Sequence, residues 1–146
     1  MFGRKKKKEP RSAARPPVLS NRSVVAGALV WAAQRDDHYS ALEKRLIDRT
    51  LTNVFGLDAA GAASLREAVE NDAGAREAAR LVIAERGFSP ESKRAIMEAL
   101  WRAVYSDREQ DYWESKLVRA ISKSLRVSGR QNAQLRGRAR RDAGRQ

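Results

Sequence analysis

The sequence predicts an all-α fold. It is a compact bundle of about six to seven helices, made from two pseudo-symmetric helix–acidic turn–helix halves and flanked by disordered basic tails. Three observations predict it. The stretch from Ser23 to Leu125 is rich in Ala, Leu, Glu and Arg and holds a single Pro, Pro90. Its apolar residues recur at helical spacing. Its first and last helix pairs are related at a shift of 71.

The elements follow in order. Ser23 is expected to cap a first helix that is apolar on most faces (Val24, Val25, Ala28, Leu29, Trp31, Ala32) and therefore central. It stops near Asp36–Asp37. A second helix opens at Ser40 and carries Leu42, Leu46, Ile47, Leu51, Val54 and Phe55 on one face, with Gly56 as its stop. Asp58 caps an Ala-rich third helix that reaches about Asn71. A fourth spans Gly74–Arg86 and ends at Gly87. Ser89-Pro90-Glu91 is a start signal, with a capping hydroxyl, a Pro at the first helical position and an acid in the first turn. That fifth helix runs to about Ser106 with Ile96, Met97, Leu100, Ala103 and Val104 inward. The sixth opens at Asp111 and carries Trp113, Leu117, Val118, Ile121 and Leu125. The three Trp (Trp31, Trp101, Trp113) sit at packing positions.

The 146 residues hold 30 Lys and Arg against 18 Asp and Glu, a net charge of +12. The charge is segregated. Residues 1–22 carry eight basic side chains against Glu9, and residues 126–146 carry seven against Asp142. The remainder holds 15 basic and 16 acidic residues, so the excess belongs to the ends. Both ends lack core-forming side chains, and burial there cannot offset ordering entropy. The expected organisation is a disordered basic, Pro-containing tail at 1–22, a helical domain at 23–128 and a disordered Arg/Gly-rich tail at 129–146.

Composition excludes several functions. There is no Cys, so thiol redox chemistry and thiolate metal sites are absent. One His cannot make a multi-histidine centre. The longest apolar run, Val24–Ala33, is ten residues and too short for a bilayer. The basic start has no apolar segment behind it, so the expectation is a cytoplasmic protein, peripheral at most on the inner membrane. No phosphate-cradling loop or nucleophile constellation is present, and the expectation is a non-enzyme.

The repeat aligns Ala28 with Ala99, Leu29 with Leu100, Ala32 with Ala103, Asp36 with Asp107, Glu43 with Glu114 and Leu46 with Leu117. Leu42 then meets Trp113, and Ile47 meets Val118. Each copy thus places an Asp at the end of one helix and a Glu one turn inside the next. Two readings compete. The oxygens of Asp36, Asp37 and Glu43, and of Asp107, Glu109, Asp111 and Glu114, can serve a hard divalent cation. Alternatively Ser40–Glu43 and Asp111–Glu114 have capping-box spacing, and the acids only cap helices. If the two turns meet in space, a shared cation site gains weight; if they lie apart, capping suffices. An EF-hand is excluded, because Tyr112 and Val118 stand where its Gly and Glu would fall. His38 reads as an exposed turn residue.

The strings Ser89-Pro90-Glu91-Ser92-Lys93 and Met97-Glu98-Ala99-Leu100-Trp101-Arg102-Ala103-Val104-Tyr105-Ser106-Asp107, then Glu114 and Leu117, resemble the TerB family of tellurite-resistance proteins. Ala32-Ala33 before Asp36, Glu43 seven later and Val54-Phe55-Gly56-Leu57 agree in the first half. The resemblance covers about residues 24–128. It implies an all-helical domain of two related halves and a role in tellurite or general chemical-stress responses. It also implies metal binding at Asp36, Glu43, Asp107 and Glu114, and kinship with the N-terminal domain of DjlA co-chaperones. The family has Gly directly after the turn Asp, where this chain has Asp37 and Arg108. Reduction of tellurite through thiols would need Cys, so the expected role is a sensor or scaffold with a divalent cation as its one cofactor. Bacterial stress-response or membrane proteins are the expected partners. The alternative is a module that binds an anionic membrane or RNA through its basic tails.

Overall fold

The computed structural model describes residues 21–35, 39–85, 87–106 and 110–144, with side chains from 116 onward in the last stretch. Among these residues it is all helical. The helices are α1 (Arg22–Gln34), α2 (Ala41–Phe55), α3 (Ala59–Glu70), α4 (Ala73–Glu85), α5 (Pro90–Tyr105), α6 (Gln110–Leu125) and α7 (Gly129–Gly144).

The caps explain most boundaries. Ser40 and Glu43 form a reciprocal capping box: the Glu43 amide donates to Ser40 Oγ at 3.1 Å, and the Ser40 amide donates to Glu43 Oε1 at 3.0 Å. Asp58 Oδ1 accepts the Gly61 amide at 2.7 Å, and Ser89 Oγ accepts the Ser92 amide at 3.1 Å. Gly56 ends α2 in the left-handed region at φ 69°, as a residue without Cβ does at no steric cost. Three starts differ from the sequence reading, that of α4 by one residue, at Ala73 in place of Gly74. Asn21, not Ser23, caps α1 by accepting the Val24 amide at 3.2 Å. α6 begins at Gln110, so Asp111 lies inside the helix and not at its cap position.

α1 is the central helix. Eight of its residues are buried, from Val25 to Ala33, and it packs against α4, α3, α6 and α2. The sequence shows why α4 can come so close. A Cβ on Gly27 would stand 3.0 Å from Ala79 Cβ and 3.3 Å from the Ala75 carbonyl oxygen, so only Gly fits. α2 packs on α5, contributing Leu46, Ile47 and Leu51 against Ile96, Met97 and Leu100, all buried. Each such side chain stabilises the fold by roughly 1.5–3 kcal/mol.

The largest departure from expectation is the C-terminal segment. Residues 129–144, read from sequence as a disordered tail, form α7 and pack on α5. Their composition misleads because only a narrow stripe is apolar. Leu135 and Ala139 are buried four residues apart, and the Arg side chains occupy the rest of the surface.

α7 also completes the repeat. Gly56-Leu57-Asp58, which ends α2 and starts α3, corresponds at a shift of 70 to Arg126-Val127-Ser128, which ends α6 and starts α7. Arg126 is left-handed at φ 60°, as Gly56 is. Leu57 and Val127 both pack on the core. Ser128 Oγ accepts the Gln131 amide at 3.1 Å, as Asp58 does for Gly61. Each half is therefore a helix, a turn, a helix and a further helix.

Candidate functional site

The acidic turns were the first candidates. Asp36, Asp37, Asp107 and Glu109, with His38, lie outside the described residues. Asp111 and Glu114 lie on α6, with side chains outside the described set. Glu43 is described, and it is 1% exposed, which is unusual for a capping carboxylate at the head of a helix. Among the described residues no group of three His, Cys, Asp or Glu could hold a metal ion.

The flanks of the two turns are far apart. Arg49, in the middle of α2, donates through Nη1 to the Ser106 carbonyl and hydroxyl, both at 3.1 Å. In the other half Arg35 shares a small cavity with Ala120, the residue that matches Arg49 at a shift of 71. Each helix end thus leans on the middle of the opposite half. Ala120 is ten residues beyond the start of α6, a rise of about 15 Å along its axis. Cation–oxygen bonds of about 2.3–2.6 Å do not bridge that separation.

Beside the first turn is a polar network that the sequence reading did not single out. Arg66 on α3 forks onto Asp48 on α2, with Nε to Oδ1 at 2.5 Å and Nη2 to Oδ2 at 3.2 Å. Its Nη1 donates to Glu70 Oε2 at 2.9 Å, and Tyr39, which follows the first turn, donates its hydroxyl to the same oxygen. The Arg66, Asp48 and Glu70 side chains are 10–21% exposed. Burial, then the Glu70 hydrogen bond, hold the Tyr39 hydroxyl far above its usual range. Burial pushes Glu70 up, but the bonds from Tyr39 and Arg66 outweigh it and its carboxyl is lowered. The bond to Asp48 leads in raising Arg66, which stays charged. The Arg66–Glu70 spacing of four was visible in the sequence; the pairing with Asp48 on another helix was not.

The second half fills the same positions differently. Asp48, Arg66 and Glu70 correspond to Arg119, Arg136 and Arg140, by the shift of 71 on α6 and of 70 on α7. These three Arg line an open cavity of about 770 Å³ between α5, α6 and α7, together with Trp101, Ser122 and Asn132. Tyr105 organises it: its hydroxyl accepts Arg136 Nε at 3.0 Å and Arg140 Nε at 3.3 Å. Arg136 also lies over the Trp101 ring, 5.3 Å from its centroid. Trp101 Nε1 donates to Asn132 Oδ1 at 2.7 Å.

The family model for tellurite resistance protein TerB matches residues 22–137. The chain belongs to the TerB family. The match runs through α1 to α6 and into α7, past Arg136, so much of the helix bearing the basic cavity falls inside the TerB domain. No curated protein and no solved structure matches the chain. No helix among the described residues of this TerB domain is long and apolar enough to cross a membrane.

Proposed function

We propose that this TerB-family, tellurite-resistance-associated module is non-enzymatic, binds divalent cations at its acidic turns, and acts as a sensor or scaffold in a bacterial chemical-stress response. The single observation that supports the cation reading is Glu43. A capping-box glutamate normally keeps its carboxylate in water, and this one is 1% exposed beside the first acidic turn. In this reading each turn takes its own cation, held by Asp36, Asp37 and Glu43 in one half and by Asp107, Glu109, Asp111 and Glu114 in the other. Scaffolding fits a chain without Cys. Calorimetric titration with Ca²⁺, Mg²⁺ and Mn²⁺ tests this. Two separable heats are expected, one lost in Asp36→Ala and the other in Asp107→Ala. No heat at millimolar cation, or heats unchanged in both variants, refutes the cation reading.

A second reading rests on the exposed basic surface of α7, which carries Arg130, Arg138, Arg140 and Arg141. Together with the Lys5–Lys8 cluster it would hold the module at an anionic membrane, or on RNA, in the cytoplasm. Vesicle co-sedimentation and RNA gel shifts at two salt concentrations test it. Binding that survives deletion of residues 1–20 and neutralisation of Arg130 and Arg141 rejects it.

A further inference from the structure

We infer that the exposed edge of α6 and its turn into α7 bind the sugar-phosphate backbone of a nucleic acid, whatever its base sequence. This rests on the second reading above, that the partner is anionic, and names both the partner and the residues that meet it. Arg119, Lys123 and Arg126 follow one another at spacings of four and three along one face of α6 and its end, and Arg130 continues the row on the first turn of α7. All four are exposed, and none makes a side-chain hydrogen bond or ion pair with a described residue. From Lys116 to Arg141 the chain holds nine Lys and Arg and no Asp or Glu, so no acid lies three or four residues from any member of the row. Arg119 and Arg126 are separated by a rise of about 10 Å along the helix.

The fold does not call for these cations. The first half follows the same path with Asp48 and Thr52 at a shift of 71, and Gly56 and Ala60 at a shift of 70. Arg126 shows this most sharply. It stands at φ 60°, where Gly56 stands at φ 69°. A side chain in the left-handed region costs energy that Gly avoids, and such strain gathers at functional sites. The row thus keeps a cation at a hinge that Gly forms more cheaply.

The chemistry of the face selects the partner. Leu117, Val118, Ile121, Leu125 and Leu135 are buried, so among the described residues α6 and α7 expose no large apolar side chain. An interfacial membrane helix and a protein–protein hot spot both need such an anchor. A phosphodiester backbone needs only cations in a row, and release of its counterions drives binding. Three of the four are Arg, whose planar forks match phosphate oxygens in pairs.

The experiment is fluorescence anisotropy on the full chain across a salt series. The probes are DNA duplexes of two unrelated sequences, a single-stranded RNA of the same length and phosphatidylglycerol vesicles. Both duplexes should bind alike, and the RNA should bind too. Arg119→Gln and Arg126→Gln should each lower the slope of log affinity against log salt by about 0.9 on duplex and about 0.7 on RNA. Arg80→Gln removes the same charge from α4, where Arg80 pairs with Glu77, and should leave the slope unchanged. Arg126→Gly should weaken binding as much as Arg126→Gln while unfolding no earlier than the unaltered chain, which separates binding from stability. Slopes unchanged in Arg119→Gln and Arg126→Gln, or a strong preference between the duplexes, overturn this inference and leave the second reading standing. So does binding of vesicles alone. No binding to any probe refutes both.

Discussion

The two halves of this TerB domain share a backbone plan and differ in charge at three equivalent positions. In the first half Asp48, Arg66 and Glu70 close on one another and on Tyr39. In the second, Arg119, Arg136 and Arg140 surround an open cavity, and Tyr105 is their hydrogen-bonding centre. The same scaffold thus carries a closed carboxylate–guanidinium network on one side and an open, Arg-lined cavity on the other. Self-satisfied buried charges serve the fold, because removing one partner strands the others. The first network is therefore expected to contribute more to stability than the second.

The strongest way to break this comparison is to remove the equivalent Arg from each half. Arg66→Ala leaves Asp48 and Glu70 without their cation and should cost about 3 kcal/mol in urea unfolding. Arg136→Ala loses contacts with Tyr105 and Trp101 at the edge of an open cavity, so about 1 kcal/mol is expected. Equal costs would mean that the halves are not divided as described. The pH dependence follows from Glu70, whose carboxyl is lowered in the folded protein. Its contribution is full above the ordinary value near 4.5 and is lost as pH falls through the lower folded value. Unfolding midpoints should fall steeply below about pH 4.5, and less steeply in Glu70→Gln.

A weaker perturbation asks whether α7 is a true counterpart of α3. Leu135 is 4% exposed, and Leu65, which matches it at a shift of 70, is half-buried. Leu135→Ala should cost about 2 kcal/mol and Leu65→Ala about half as much. Helical circular dichroism should fall only in the first, as α7 detaches from α5. No change from Leu135→Ala would return residues 129–144 to the status of a tail.

The sequence made the core legible because its signals are local. Ser40 with Glu43, Gly56 before Asp58, and Ser89-Pro90 each act within one turn of helix, and all three mark real boundaries. The shift of 71 found the α1–α2 and α5–α6 correspondence for the same reason, through Leu and Ala at core spacing. α7 escaped because its buried stripe is one Leu and one Ala among seven Arg and Gln. Its match to α3 also needs a shift of 70, after one residue is lost near the end of α6. The Arg66 network escaped because Asp48 and Arg66 are 18 residues apart and join only when α2 and α3 pack. In the acidic turns, the sequence supplied the residue types, and Glu43 alone of the candidates has a described environment, a buried one.

The smallest test concerns the hinge between the second and third helix of each half. The first half uses Gly56 at φ 69° and the second uses Arg126 at φ 60°. Arg126 still closes its helix well: its amide donates to the Lys123 carbonyl at 3.2 Å, and the Val127 amide donates to the Ser122 carbonyl at 2.9 Å. A side chain in the left-handed region nonetheless costs about 1 kcal/mol that Gly avoids. Arg126→Gly should therefore stabilise by about 0.5 kcal/mol, after the added entropy of Gly in the unfolded chain is deducted. Gly56→Ala, the mirror change, should destabilise by about 1 kcal/mol. Opposite signs, read from chemical denaturation at one pH, would show that the two hinges are the same device. If Arg126→Gly destabilises instead, the Arg126 side chain holds a contact of its own, and the equivalence of Gly56-Leu57-Asp58 with Arg126-Val127-Ser128 is one of backbone path alone.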